Sequence, residues 1–375
     1  MTGLRRTAIL LVGSITAALT AGTWYYTNLL RKHALRPNHD DPHPDVEVTG
    51  RDEEDLVLRD LTAGGNPGLF EPGTWGLEWP GGYARLGEIS RRHGDRVWRR
   101  FTPVRGMPGE GTHARLDNFA FPGDPRTAHG YDFDEVSLDC EVGTFPAWLV
   151  EGEGTTWAIV VHGKGAHRGE GHRTLPAFYE KRIPTLLITY RNDRGLGVDP
   201  SGHFAYGASE WRDLEAAVDF ALALGAQRIV LVGFSMGGGI IMSFMSRSGL
   251  ARYVSALVLD APMLDFEQTV ESRARDHGAP RFLTSIGKRL AGFRFGVRWS
   301  DLNYLPTARQ LTVPVLLFHG TADREVPVAS SDQFAGARPD IVTYHRVEGA
   351  GHVRAWNVDQ QQYERALRTF LDRVV

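Results

Sequence analysis

Hydrophobic positions change their rhythm three times along this chain of 375 residues. From Thr7 to Leu30, 24 consecutive residues carry no charge. Between Asp55 and Val104 come short alternating pieces, "DLVLRDL", "TWGLEWPGGYARLGEI" and "DRVWRRFTPV", cut by Gly and Pro turns, which predict short β-strands. From Tyr131 onward apolar runs alternate with amphipathic stretches. Eight runs predict strands: "EVSLDC", "FPAWLVEG", "WAIVVHG", "PTLLITY", "RIVLVGF", "VSALVLD", "VPVLLFHG" and "VTYHRV". The clearest helix is "SEWRDLEAAVDFALALGA". There Ser209 is placed to cap, Trp211, Leu214, Ala217, Val218 and Ala221 recur at helical spacing, and Gly225 stops the run. Strands alternating with helices predict a mostly parallel eight-stranded sheet with helices on both faces, in which ligands bind at the carboxyl ends of strands.

This division yields three segments: a membrane anchor or signal segment over 1–36, a linker and β-rich region over 37–130, and an α/β domain over 131–375. The stretch from Asn38 to Gly50, rich in Pro, Asp and His, reads as the linker. The β-rich region reads as a cap packed on the main domain or as a separate binding module. The insert from Pro262 to Pro306, containing "FLTSIGKRLAGFRF", reads as a lid over the site or as a plain surface helix.

The uncharged run is long enough to span a bilayer, with Trp24, Tyr25 and Tyr26 near one end where aromatic belts sit. A cleaved signal peptide is the alternative, since the most apolar part, Ala8 to Ala21, has the length of an h-region. The expectation is a single-pass protein of the cell membrane, or a secreted one if the segment is removed. Arg5 and Arg6 face Arg31, Lys32 and Arg36, so flanking charge leaves the orientation open.

Composition narrows the partners. Forty-two Lys+Arg against 45 Asp+Glu give a net charge of −3 without a long basic block, which argues against nucleic acid. The single cysteine, Cys140, rules out an intrachain disulfide. Fourteen histidines show no H-E-x-x-H or comparable spacing, so neither metal nor cofactor is expected.

The chemistry centres on "LVGFSMGGG", residues 231–239, where a run of β-formers breaks into glycines around Ser235. At a strand-to-helix turn, Gly233 and Gly237 let the backbone fold sharply and expose the serine hydroxyl above the sheet. A serine hydroxyl is a weak nucleophile, so it needs a base within hydrogen-bond reach and a third group to orient that base. The later loops supply both: "HGTAD" ends on Asp323 and "GAGH" ends on His352, each just past a predicted strand. Asp260 in "LVLDAP" also ends a strand and is a second candidate for the acid, although the Ala261-Pro262 that follows suits a turn. His162 and His319, before glycines, read as loop-holding residues, and Asp193 and Asp199 as turn residues.

Taken in order, "HGKG" at 162–165, "GFSMGG" at 233–238, "HGTAD" at 319–323 and "GAGH" at 349–352 resemble the α/β-hydrolase superfamily of serine hydrolases over about residues 131–375. The likeness leans toward its serine-aminopeptidase-like and Bem46-like bacterial members. It implies the α/β-hydrolase fold, a Ser235-His352-Asp323 triad, and an oxyanion hole formed by the backbone N–H groups of Met236 and Lys164. It also implies a small-molecule acyl substrate, cleaved as an ester or related acyl bond through an acyl-enzyme. A peptidase or acyltransferase on the same triad, and a membrane-tethered binding protein without catalysis, are the alternatives. Lys164 departs from the residue often found after "HG", so its ammonium is either a bias toward anionic acyl groups or a solvated surface group.

Overall fold

The computed structural model describes residues 22–37, 43–52, 54–62 and 65–375. The β-rich region is a closed six-stranded barrel: β1 (Val46–Asp52), β2 (Asp55–Asp60), β3 (Trp75–Trp79), β4 (Gly82–His93), β5 (Arg96–Arg105) and β6 (Thr112–Asp117), in the order β1-β2-β5-β4-β3-β6. Closure leaves no free edge, and alternate side chains such as Val46, Leu56, Trp75, Leu77 and Leu86 fill its interior. Arg99 is also fully buried there. Its guanidinium donates to five backbone carbonyls, those of Gly68, Leu69, Glu71, Gly73 and Gly87, which satisfies a charge that would otherwise be very costly to bury.

The main domain holds the eight expected strands: β7 (Asp134–Cys140), β8 (Gly143–Val150), β9 (Thr156–Val161), β10 (Thr185–Ile188), β11 (Arg228–Phe234), β12 (Val254–Asp260), β13 (Val315–Gly320) and β14 (Val342–Val347). Their order is β14-β13-β12-β11-β9-β10-β8-β7, with β8 antiparallel to both of its neighbours, β10 and β7, and every other pair parallel. Central strands are buried on both faces, which is why they read as continuous apolar runs.

The helices that matter for the site are α1 (Trp211–Ala223), α2 (Met236–Arg247), α3 (Phe266–Asp276), α4 (Arg281–Phe295) and α5 (Gln360–Val374). In α1, Leu214, Ala217, Val218 and Ala221 are buried as their spacing predicts. Ser209 does not cap it, because its hydroxyl donates to Asp199 Oδ2 at 2.5 Å. The buried Glu210 carboxylate instead accepts from the Ala205 and Gly207 N–H groups just before the helix.

The membrane-spanning helix expected over Thr7–Leu30 lies outside the described residues as far as residue 21. Among the described residues no helix is long and apolar enough to cross a membrane. Residues 22–30 form a helix that continues as the π-helical turn Arg31–Leu35, and this segment packs on the main domain. Thr23, Thr27 and Leu35 are buried, and the Phe204 N–H and Tyr206 Oη donate to the Leu35 and Ala34 carbonyls at 2.7 and 2.8 Å. Within the described part of the expected 1–36 segment, apolar residues near its end meet protein, which satisfies hydropathy as well as lipid does.

Candidate active site

Ser235 sits between the end of β11 and the start of α2 with φ 49° and ψ −115°, a conformation that costs a non-glycine residue roughly 1–3 kcal/mol. Backbone bonds hold it there: Ser235 N–H donates to the Asp260 carbonyl at 3.0 Å, and the Ser235 carbonyl accepts from the Gly238 and Met263 N–H groups. The flanking glycines are required by contact. A Cβ at Gly237 would lie 2.2 Å from the Val161 carbonyl oxygen, and one at Gly233 would lie 2.6 Å from Ile241 Cδ1 and 2.9 Å from the Gly237 carbonyl carbon.

The fold brings all three expected side chains together. His352 Nε2 lies 2.8 Å from Ser235 Oγ, and His352 Nδ1 lies 2.7 Å from Asp323 Oδ2. Facing a carboxylate, Nδ1 carries the proton, so Nε2 is left to accept from the serine hydroxyl. Asp323 Oδ1 accepts from the Glu325 and Val326 N–H groups at 2.8 and 2.9 Å, which aims Oδ2 at the imidazole. Asp260 is not the partner of His352. It is 2% exposed, and neither of its carboxylate oxygens has a hydrogen-bond partner among the described residues. Burial pushes its carboxyl up to about 6.

Burial works against charge on both members of the His352–Asp323 pair, and their mutual attraction overcomes it. The imidazole pKa is raised above its ordinary 6.5. The Asp323 carboxyl is held well below the usual carboxylate range by His352 and by His319. His319 Nε2 faces two acceptors, Asp323 Oδ2 and the Val326 carbonyl, both at 3.1 Å, so it donates to them while Nδ1 meets Ser331 Oγ at 2.7 Å. The histidine read as a loop holder therefore steadies the acid itself.

The "HGKG" loop approaches the nucleophile from the end of β9. A Cβ built on Gly163 would lie 3.2 Å from Ser235 Cβ. Among the described residues neither the Lys164 nor the Met236 backbone N–H donates a hydrogen bond, which leaves both available. His162 is pinned between the Gly163 carbonyl and Asp193 Oδ2, each 2.9 Å away. Two residues that sequence reasoning missed stand behind the loop. Buried Glu170 accepts the Gly163 N–H at 2.7 Å, and buried Arg173 donates to the Val353 carbonyl, beside His352, at 2.7 Å. Their ion pair, at 3.4 Å, links the glycine loop to the histidine loop. The i,i+3 spacing of opposite charges was visible, but such pairs are common on solvated faces.

Residues 158–366 match the profile of the alpha/beta hydrolase family. The chain belongs to that family. Residues 70–117, from just before β3 to the end of β6, match a domain of unknown function (DUF8805). No curated protein matches this hydrolase. Among solved structures it is similar to the esterase Pf2001 of Pyrococcus furiosus, with TM-score 0.54 and 20% identity over 68% of this chain and 94% of that one. It is also similar to Est1E of Butyrivibrio proteoclasticus, solved with ferulic acid bound, with TM-score 0.50 and 18% identity over 64% and 98% of the two chains. A puromycin-hydrolyzing peptidase of Mycobacterium tuberculosis gives TM-score 0.51 and 18% identity over 84% of this chain and 45% of that one. At these identities the likeness is one of fold.

In this hydrolase a cavity of about 780 Å³ opens beside Ser235 and His352. Helices α3 and α4 of the Pro262–Pro306 insert line it together with the N-terminal segment. The Lys164 ammonium, on the edge of this cavity, donates to the His33 carbonyl at 2.7 Å and so ties the N-terminal segment to the glycine loop. Among the described residues no cluster of His, Cys, Asp or Glu is arranged to hold a metal ion.

Proposed function

We propose that this chain is a serine hydrolase that cleaves a carboxylic ester through an acyl-enzyme. The observation that carries the reading is the unbroken relay Asp323–His352–Ser235, with contacts of 2.7 and 2.8 Å, set at a strained strand-to-helix turn beside a large cavity. Ser235 Oγ attacks the ester carbonyl and passes its proton to His352 Nε2. The carbonyl oxygen takes the negative charge and is held by the Met236 and Lys164 N–H groups, each worth roughly 3–4 kcal/mol in a water-excluded site. His352 then returns the proton to the leaving alcohol as the tetrahedral intermediate collapses to the acyl-enzyme. Water, deprotonated by the same nitrogen, repeats the sequence and releases the acid and free Ser235. Asp323 remains ionised throughout and stabilises the imidazolium.

Ser235→Ala tests this. It is expected to abolish labelling by a fluorophosphonate probe and to lower p-nitrophenyl ester turnover on the order of 10⁴- to 10⁶-fold. Wild-type kcat/KM should fall as the pH drops through the raised pKa of His352, because the protonated ring cannot accept the serine proton. Undiminished labelling of the alanine variant would sink the assignment. We further propose that the uncharged run from Thr7 tethers the protein to a membrane; salt-resistant sedimentation with membranes supports this, and release into the soluble fraction refutes it.

A further inference from the structure

The cavity beside Ser235 is walled by two parts of the chain that are far apart in sequence, the N-terminal segment and the helices α3 and α4 of the insert. Phe266 and Val270 come from α3, Leu283 and Gly287 from α4, and Leu29 and Leu30 from the N-terminal helix. The N-terminal segment is fastened at both ends. Its last turn is bonded through the His33 carbonyl to Lys164 Nζ, through Ala34 to Tyr206, and through Leu35 to Phe204. At its start the Arg294 guanidinium of α4 lies 3.7 Å from the Trp24 ring centroid. One bond thus joins this segment to the side chain of Lys164, the residue whose N–H is proposed above for the oxyanion hole.

The charges on the lining are already committed. Lys288 is paired with Glu267 and Glu271, Arg273 with Glu325 at 3.3 Å, and Lys164 with the His33 carbonyl. Lys288 and Arg273 thus face carboxylates, Lys164 donates to a neutral carbonyl and keeps its charge at the edge of the lining, and the rest of the lining is largely apolar. A space of about 780 Å³ is far larger than an acetyl group fills and falls in the range of pockets that enclose whole ligands.

We propose that residues 22–35 are a substrate-binding element, without which the acyl site lacks a wall, and that the site takes an uncharged apolar acyl chain of about eight carbons or more with its carbonyl at Ser235. This rests on the serine-hydrolase reading above. The chain lies between α3, α4 and the N-terminal helix, and its methylenes leave water on entering.

A series of p-nitrophenyl esters from acetate to decanoate, turned over by the full chain, tests the proposal. For the wild type, kcat/KM should rise about fourfold per added methylene over the shorter acids, as burial of each CH₂ predicts, and the octanoate-to-acetate ratio should exceed about 10². Two variants probe the walls. At Gly287 an added Cβ meets nothing within 4 Å, so Gly287→Phe places a ring in open cavity; Leu29→Asp sets a carboxylate in the N-terminal wall. Each should lower the octanoate-to-acetate ratio at least tenfold. A flat profile in the wild type, or a ratio that survives Leu29→Asp, overturns the inference while leaving the nucleophile standing. If no ester is turned over and labelling does not depend on Ser235, the hydrolase reading has failed on its own. Calorimetric binding of 1-octanol, an uncharged chain of the same length, to wild type and to Leu29→Asp then decides the wall: loss of binding in the variant supports it, and equal or absent binding overturns it.

Discussion

Two aspartates stand at the carboxyl ends of adjacent strands, Asp260 as the last residue of β12 and Asp323 in the loop after β13, and the residues around each decide what it does. Asp323 is surrounded by donors: two backbone N–H groups, His319 and His352. Asp260 has no hydrogen-bonding partner for its carboxylate among the described residues, and burial raises its pKa from 3.8 to about 6. Asp323→Asn should therefore lower kcat by about 10⁴ with little change in KM, because the imidazole loses the acceptor that fixes its tautomer. Asp260→Asn should keep turnover. The raised folded-state pKa means that the native state holds an extra proton between about pH 4 and 6, so stability from this group is present below pH 4 and lost as the pH rises through 6. An asparagine escapes that loss. Urea melts should show the variant gaining on wild type by on the order of 2–3 kcal/mol between pH 4 and pH 7. An inactive but folded Asp260→Asn beside an active Asp323→Asn would reverse the two roles.

At the scale of elements, the nucleophile depends on how closely α2 approaches the end of β9. Gly237 is in the first turn of that helix, and the atoms that a Cβ would strike are backbone: the Val161 carbonyl at 2.2 Å and the His162 carbonyl at 2.8 Å. Backbone cannot rotate aside as a side chain can. Gly237→Ala must push α2 from β9 or displace the "HGKG" loop that carries the Lys164 N–H. The expected cost is about 1–3 kcal/mol in stability from overpacking. A displacement near 1 Å should also lower kcat about 10²-fold. Denaturation and single-turnover kinetics on the same preparation check both. Gly165, with φ +68° and no heavy atom within 4 Å of an added Cβ, offers the contrast of a glycine used for its backbone conformation alone.

Across the whole molecule, the barrel braces the loop that carries the catalytic base. Asn357, five residues after His352 and fully buried, donates to the Thr74 and Asn118 carbonyls at 2.8 Å each, while its own carbonyl accepts the Thr74 N–H at 2.8 Å. Arg354 pairs with Glu71 at 2.9 Å. Asn357→Ala removes two hydrogen bonds to half-buried carbonyls, each worth roughly 0.5–1.5 kcal/mol, and should lower the urea midpoint with an unchanged m-value. An unaltered midpoint would mean that the barrel and the hydrolase domain do not stabilise each other here. Reading the chain alone determined the eight strands of the main sheet, the turn at Ser235 and the order of Ser235, Asp323 and His352, because each is written in a local pattern: a run of apolar residues, glycines at fixed offsets, a polar residue just past a strand. Only the tertiary structure decided that the β-rich pieces close into a barrel around Arg99, that Glu170 and Arg173 tie two loops of the site together, and that residues 22–35 line the cavity. Those outcomes depend on partners remote in sequence. An apolar residue such as Leu29 is equally satisfied by lipid or by a protein wall, so hydropathy alone does not reveal the contacts that His33, Ala34 and Leu35 make with Lys164, Tyr206 and Phe204.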